Sequence, residues 1–244
     1  MRIIRVYLAN ITLQPDQLVV LDKSIQHRLF RVMRLKPGMT IHVFDGSGHE
    51  FLARIVDQKT ISVLEPLVSQ TESPLHTRLL LGLSRGERMD WAMQKATEMG
   101  VSQIQPVITR YCEVKLDDNR LRKRMDHWQG ILISACEQSG RTRLPELQPV
   151  IALHAALQGS LSDSSGQCRL ILDPDGASRV QDISLNRSNS VTLLTGPEGG
   201  FSEEEVEAAY QHGFQGIRMG PRILRAETAP IAALAIIQAR IGDI

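Results

Sequence analysis

Cysteine is scarce in this chain, strong net charge is missing, and so is any long apolar run. The three cysteines, Cys112, Cys136 and Cys168, stand far apart with no CxxC or Cys/His spacing. That argues against a disulfide framework and a structural metal, and it fits a reducing cytoplasm. No stretch of 18 apolar residues occurs, and no charged-then-apolar leader opens the sequence. The expectation is a soluble, unexported, cytoplasmic chain with no membrane partner. There is no GxxxxGK[ST], GxGxxG, GxSxG or HExxH, and no Ser/His/Asp set. A hydrolase therefore has no positive support.

Net charge is only +1 over 244 residues, but it is unevenly placed. Residues 1–70 carry nine Lys/Arg against six Asp/Glu, residues 71–150 twelve against ten, and residues 151–244 seven against eleven. A basic front suits a polyanion, although a solvated surface shows differences of this size as well. The length suffices for a sizeable core in one large or two small domains.

What the chain does have is two glycine turns of the same build in its last quarter. Thr195-Gly196-Pro197-Glu198-Gly199-Gly200-Phe201 and Met219-Gly220-Pro221-Arg222-Ile223-Leu224-Arg225 each follow a short apolar run and precede a helical pattern. Strand, glycine turn, helix is the arrangement that places ligands at strand carboxyl ends in open α/β sheets. Two such turns about two dozen residues apart can line one pocket.

Upstream, residues 2–8, 18–21, 40–45, 50–56 and 60–64 read as short strands. Residues 22–34 have helical spacing, with Ile25, Leu29, Val32 and Met33 on one side. Several short strands and one helix predict a small β-barrel domain over residues 1–70. The polar stretch Ser69-Gln70-Thr71-Glu72-Ser73-Pro74 predicts a linker. Beyond it, strands at 78–83, 104–109, 168–172 and 191–194 alternate with helices at 87–99 and 120–138. This predicts an α/β domain over residues 75–244 with a parallel sheet. The final helix, 230–241, is apolar almost all round apart from Gln238 and Arg240, as for a helix buried in a core or against a partner subunit.

The helix after the first turn begins Ser202-Glu203-Glu204-Glu205, a capping box with an acidic first turn. Three carboxylates repel a pyrophosphate. A ligand with a positive centre and a neutral base, such as S-adenosylmethionine, suits the turn better. Alternatively, the glutamates are only a well-capped surface helix. In the second turn Arg222 and Arg225, with Glu227 following, offer guanidiniums to a phosphate or to the carbonyls of a base as its charge changes. Salt bridges to the acidic helix are the other reading.

At this point the chain resembles the SPOUT methyltransferases, and within them the RsmE-type family that methylates N3 of a uridine in 16S ribosomal RNA. The likeness runs through Phe44-Asp45-Gly46, Ser84-Arg85-Gly86-Glu87-Arg88, Gln94-Lys95-Ala96-Thr97-Glu98-Met99-Gly100 and Glu137-Gln138-Ser139-Gly140-Arg141, and ends in the two glycine turns. The resemblance implies a PUA-like barrel in front and an α/β-knot methyltransferase domain behind, whose C-terminal segment is threaded as a trefoil knot. It also implies a homodimer, with the small ribosomal subunit as partner. S-adenosylmethionine is then held at Leu172, at Leu194, Thr195, Gly196 and Gly200, and at Met219, Gly220, Ile223 and Leu224.

For the chemistry, Arg225 or Arg222 would stabilise charge on the uracil carbonyls. Glu227, Glu198 or solvent would take the proton. Arg28, Arg31 and Arg34, three apart on one helix, and Arg141 are the candidates for RNA phosphates, which position without specifying. The other class left open is a non-catalytic RNA-binding assembly factor of the same fold.

Overall fold

The computed structural model describes residues 3–112, 117–159, 168–179, 182–183 and 190–244. The chain divides into two compact units. The first runs to Glu72 and also takes Cys136–Leu144; the second takes Ser73–Ala135 and Pro145–Ile244.

In the first unit β1 (Arg5–Tyr7), β2 (Leu18–Val20), β3 (Thr40–Phe44), β4 (Glu50–Ile55) and β5 (Thr60–Leu67) form a five-stranded sheet of order β1-β3-β4-β5-β2. The β1–β3 pair is parallel and the other pairs are antiparallel. Alternate residues (Val6, Val19, Ile41, Val43, Ala53, Ile61 and Val63) turn inward to one core, the period-2 signature of a sheet covered on one face. Residues 2–4 of the expected first strand precede β1, and residue 2 lies outside the described residues. Asp45 shapes the β3–β4 connection by accepting from the N–H of Ser47 and of Leu13, both at 3.0 Å.

The expected helix over 22–34 is present in altered form. Asp22 caps α1 (Lys23–Gln26) by accepting from Ile25 N at 2.8 Å, and the chain then continues as a π-helix, His27–Val32. The wider i→i+5 winding, seen in Met33 N to Arg28 O at 2.9 Å, breaks the three-apart register. Ile25 and Leu29 stay in the core, whereas Val32 and Met33 turn out and are 65 % and 46 % exposed. Arg34 lies past the helix in a left-handed conformation, φ 57°. The basic stripe expected on one helix face is thus split. Arg31 and Arg34 are exposed, but Arg28 is held by both Glu137 oxygens at 2.5 and 2.7 Å.

Arg141, expected on RNA phosphates, is turned inward. It is 5 % exposed, and Glu72 Oε2 accepts from its Nε at 3.1 Å and from its Nη2 at 2.9 Å. The other Glu72 oxygen takes the backbone N–H of Thr142 and Arg143 at 2.7 and 2.9 Å. A guanidinium so enclosed presents little surface to a phosphate, and it ties Cys136–Leu144 to Glu72 within the first unit. Removing one partner of a buried pair leaves the other charge stranded. Arg141→Ala is therefore expected to lower stability by roughly 3–5 kcal/mol, read from urea denaturation of the first unit's transition. A variant as stable as the wild type would refute that role.

The second unit is a parallel sheet with helices on both faces. Its strands are β6 (His76–Gly82), β7 (Gln103–Ile108), β8 (Glu146–Leu147), β9 (Ile151–Ala152), β10 (Cys168–Leu172), β11 (Ser178–Arg179), β12 (Ser190–Thr195) and β13 (Gln215–Arg218). The order is β11-β13-β10-β12-β6-β7-β8, with β9 also on β7. Its helices are α2 (Glu87–Glu98), α3 (Asp118–Ser139, whose residues from Cys136 on belong to the first unit), α4 (Leu153–Gly159), α5 (Glu203–Gln211) and α6 (Thr228–Ile241).

Successive strand residues serve opposite faces. Leu79, Leu81, Val191 and Leu193 pack with Met93, Trp128, Leu132, Leu234 and Ile237 from α2, α3 and α6. Leu80, Ile171 and Leu194 pack with Leu157, Ala209 and Phe214 on the other face. Burial on both faces explains why β6 and β12 read as continuous apolar runs. Gln238 of α6 is 1 % exposed and bonded at both ends: it donates to Met99 O at 2.9 Å and accepts from Ser73 Oγ at 2.8 Å.

Candidate active site

β10 is flanked by β12 on one side and β13 on the other, all three parallel. The chain lays down β12, then crosses back past β10 to lay down β13. Such a reversal of strand order opens a crevice at the carboxyl edge. Ile171 is in register with Leu194, and Leu172 with Ile217, so the loops that follow start level with one another. They enclose a cavity of about 920 Å³.

The structure brings most of the expected residues to this cavity. Leu172 lines it from β10, Thr195, Gly196 and Gly200 from the first glycine turn, and Met219, Gly220, Ile223 and Leu224 from the second. Leu194 is the exception. Its side chain is fully buried beside Leu80 and Ile171, because alternation along β12 sends it into the core face opposite to that of Leu193. Gly200 has φ +70° and lines the cavity; a Cβ there meets no protein atom within 4 Å. A side chain at that position would project into open space.

Arg222, Arg225 and Glu227 line the same cavity. Arg225 is 81 % exposed at its side chain, with Nη1 4.0 Å from Glu227 Oε1. The acidic start of α5 is engaged elsewhere: Glu204 pairs with Arg110 Nη1 at 3.1 Å, and Glu205 accepts Arg110 N at 2.8 Å. The capping box at Ser202 and Glu205 forms as expected. Two buried oxygens of cavity residues, Thr195 Oγ1 and Glu227 Oε2, have no protein partner among the described residues. A buried polar atom left alone is costly, so both are groups that a ligand would satisfy.

Glu198 is differently placed. Burial alone would raise its carboxyl, but hydrogen bonds outweigh this and hold it below the usual carboxylate range; they come from backbone N–H groups, including that of Arg85, and from the Arg88 and Ser84 side chains. A carboxylate stabilised in this way is a weak base.

Sequence reasoning missed the other wall. Tyr210 of α5 donates to Asp173 Oδ2 at 2.6 Å, and both line the cavity. That bond, with burial and the nearby Asp173, Asp175 and Glu207 charges, pushes the phenol up to about 12. Asp173 was findable as the residue after an apolar strand run; Tyr210 carries no local signal.

Comparison with known proteins decides the family. The "RNA methyltransferase domain" family matches residues 71–238, and the "RNA methyltransferase PUA domain" family matches residues 21–65. A ribosomal RNA small subunit methyltransferase E of Buchnera aphidicola is 33% identical over 100% of this chain and 98% of its own length. The chain belongs to the ribosomal RNA small subunit methyltransferase E family. The Bacillus subtilis member is 30% identical over 86% of each chain. The Neisseria gonorrhoeae member, crystallised bound to S-adenosyl methionine, is 39% identical with a TM-score of 0.92 over 99% of both chains. A Legionella pneumophila structure with bound cofactor SAM is 37% identical, with a TM-score of 0.93 over 100% of both chains. The fold class implied by the resemblance, an α/β methyltransferase domain preceded by a PUA-like domain, therefore holds for this chain. Among the described residues no helix is long and apolar enough to cross a membrane.

Proposed function

We propose that this chain methylates N3 of a uridine in the 16S RNA of the small ribosomal subunit, using S-adenosylmethionine held in the cavity at the β10, β12 and β13 carboxyl ends. The observation that carries the reading is that cavity, with two unpartnered buried oxygens, in a member of this family. Leu172 and Met219 offer apolar walls for an adenine, and the backbone of Gly196, Gly220, Ile223 and Leu224 offers donors and acceptors for its edge. The carboxylates of Asp173, Glu203 and Glu207 suit a cationic ligand. S-adenosylmethionine supplies an electrophilic methyl group on a sulfonium and leaves as the neutral thioether.

The uracil N3 must lose its imide proton as the new N–C bond forms. Glu227, with one oxygen unpartnered and the other 4.0 Å from Arg225, is the acceptor for that proton. Arg225, with Arg222 nearby in sequence, stabilises the charge that spreads onto the flanking carbonyl oxygens. Glu198, already bonded to Arg85 N and Arg88 Nη1, is the weaker candidate for the acceptor's role.

The test is direct. Small subunits from cells lacking the protein are incubated with it and labelled S-adenosylmethionine, and the nucleosides are then mapped. The expected product is 3-methyluridine at one site; label at any other atom, or none, sinks the reading.

The first unit is proposed to hold RNA through Arg31 and Arg34, which are exposed, rather than through Arg28, which is committed to Glu137. Replacing both with Ala should flatten the plot of log affinity against log salt by roughly two units of slope, one per lost phosphate contact, with S-adenosylmethionine affinity unchanged. An unaltered slope returns both arginines to the solvated surface.

The reading includes a cytoplasmic homodimer. Ile223 is 87 % exposed at the cavity, and Ile231 and Ile236 of α6 are only partly covered, which leaves apolar surface for a second copy. Sedimentation at twice the mass of one chain is expected; a single-chain species removes the dimer.

A further inference from the structure

The Ser84-Arg85-Gly86-Glu87-Arg88 stretch has no part in the cofactor cavity beyond the edge supplied by Arg88. It instead lines a second hollow of about 570 Å³, which has Arg88 and Glu198 in common with the lining of the first. Arg85, Gly86, Glu87 and Arg88 line it from the segment that opens α2, together with Tyr111 and Gly199.

The hollow is held by specific contacts. Glu198 accepts from Arg85 N at 3.1 Å and from Arg88 Nη1 at 2.9 Å, which ties the start of α2 to the first glycine turn. Gly199 lies so close to Tyr111 that a Cβ would stand 2.7 Å from Tyr111 Cβ and 3.0 Å from its carbonyl oxygen. Only glycine lets the turn lie against Tyr111 in this way. Gly86, which lines the hollow, has φ +52° and ψ −131°, a conformation that side chains rarely adopt. Tyr111 is 48 % exposed although it is a large aromatic, and Arg88 is 50 % exposed at its side chain.

We infer that this second hollow receives the target nucleotide, with its uracil stacked on Tyr111 and its phosphate on the Arg88 guanidinium. The inference rests on the methyltransferase reading above. A paired base offers its N3 to no reagent, so it must be turned out of its helix and caught. Catching it takes a π-face for the ring and a fixed cation for the backbone, which Tyr111 and Arg88 supply. The hollow lies within the size range of small-molecule sites, and Arg88 and Glu198 line both it and the cavity proposed for the methyl donor. Glu198 acts here as a positioning residue: it touches neither proton nor methyl group, and it fixes Arg88 beside the turn.

Kinetics with small subunits as substrate test this, using Tyr111→Phe and Tyr111→Leu. The Phe variant keeps the π-face and is expected within about twofold of the wild type. The Leu variant keeps bulk without the π-face. Its KM for subunits is expected to rise roughly tenfold to a hundredfold, the size of one lost base–aromatic stack. Its kcat at saturation and its calorimetric affinity for S-adenosylmethionine should hold. A wild-type KM for Tyr111→Leu overturns the inference, as does a loss of cofactor affinity or melting temperature that tracks the loss of activity. A wild-type protein that binds S-adenosylmethionine but transfers no methyl group to subunits overturns the functional reading itself, and this inference with it.

Discussion

Arg225→Lys is expected to cut turnover by roughly a hundredfold, the scale on which one oxyanion donor acts, while leaving the fold and the cofactor site as they are. The side chain is 81 % exposed, and its ion pair with Glu227 is a long one at 4.0 Å. Exposed positions of this kind change stability by only about 0.5 kcal/mol when replaced, so melting temperature should barely move. Turnover should behave otherwise. A guanidinium donates two parallel bonds from a rigid plane, and an ammonium on a flexible stem does not reproduce that geometry at a delocalising carbonyl. Single-turnover methyl transfer, with calorimetry for S-adenosylmethionine, separates the two roles. Full activity of the variant, or lost cofactor binding, would remove Arg225 from the chemistry.

Gly200→Val should abolish S-adenosylmethionine binding altogether. Gly200 closes the turn that begins at Pro197, donating to Pro197 O at 3.0 Å, and does so at φ +70°. A β-branched residue pays roughly 1–2 kcal/mol to hold a left-handed conformation, which a core of this size tolerates. Its methyl groups would occupy space that no protein atom claims and that the cavity contains. The expected result is a calorimetric titration without heat above dilution, beside an unchanged circular dichroism spectrum. Wild-type affinity in the variant would falsify the placement of the cofactor at this turn.

Much of this site was legible because its signals are local. The apolar runs before each glycine turn are strands buried on both faces, and Ser202 with Glu205 is a reciprocal cap that needs no tertiary context. Glu227 and Arg225 lie in the loop before α6, where a sequence offset predicts a shared rim. What stayed hidden depends on geometry that periodicity does not carry. The π-winding of His27–Val32 rotates Val32 out of the core, although a 3.6-residue period places it beside Leu29. Leu194 stands one residue from a cavity-lining threonine, and only the pleat decides which face it serves. The burial of Arg141 depends on Glu72, 69 residues away, and the Tyr210 bond to Asp173 spans 37. The short α4, Leu153–Gly159, and the two-residue strands β8 and β9 leave too few repeats for any period to register.

The return of Cys136–Leu144 to the first unit bears on how this protein is made. When Glu72 leaves the peptidyl-transferase centre, the carbonyl of Gly140 that accepts from Arg5 and Thr71 and the Arg141 guanidinium that Glu72 needs have not been synthesised. At roughly 5–20 residues per second, the intervening stretch takes on the order of several seconds. During that interval the nascent five-stranded sheet lacks its last segment and leaves a carboxylate unpaired. Its folding on the ribosome is therefore expected to be post-dated, completing only after the first strands and helices of the second unit have emerged.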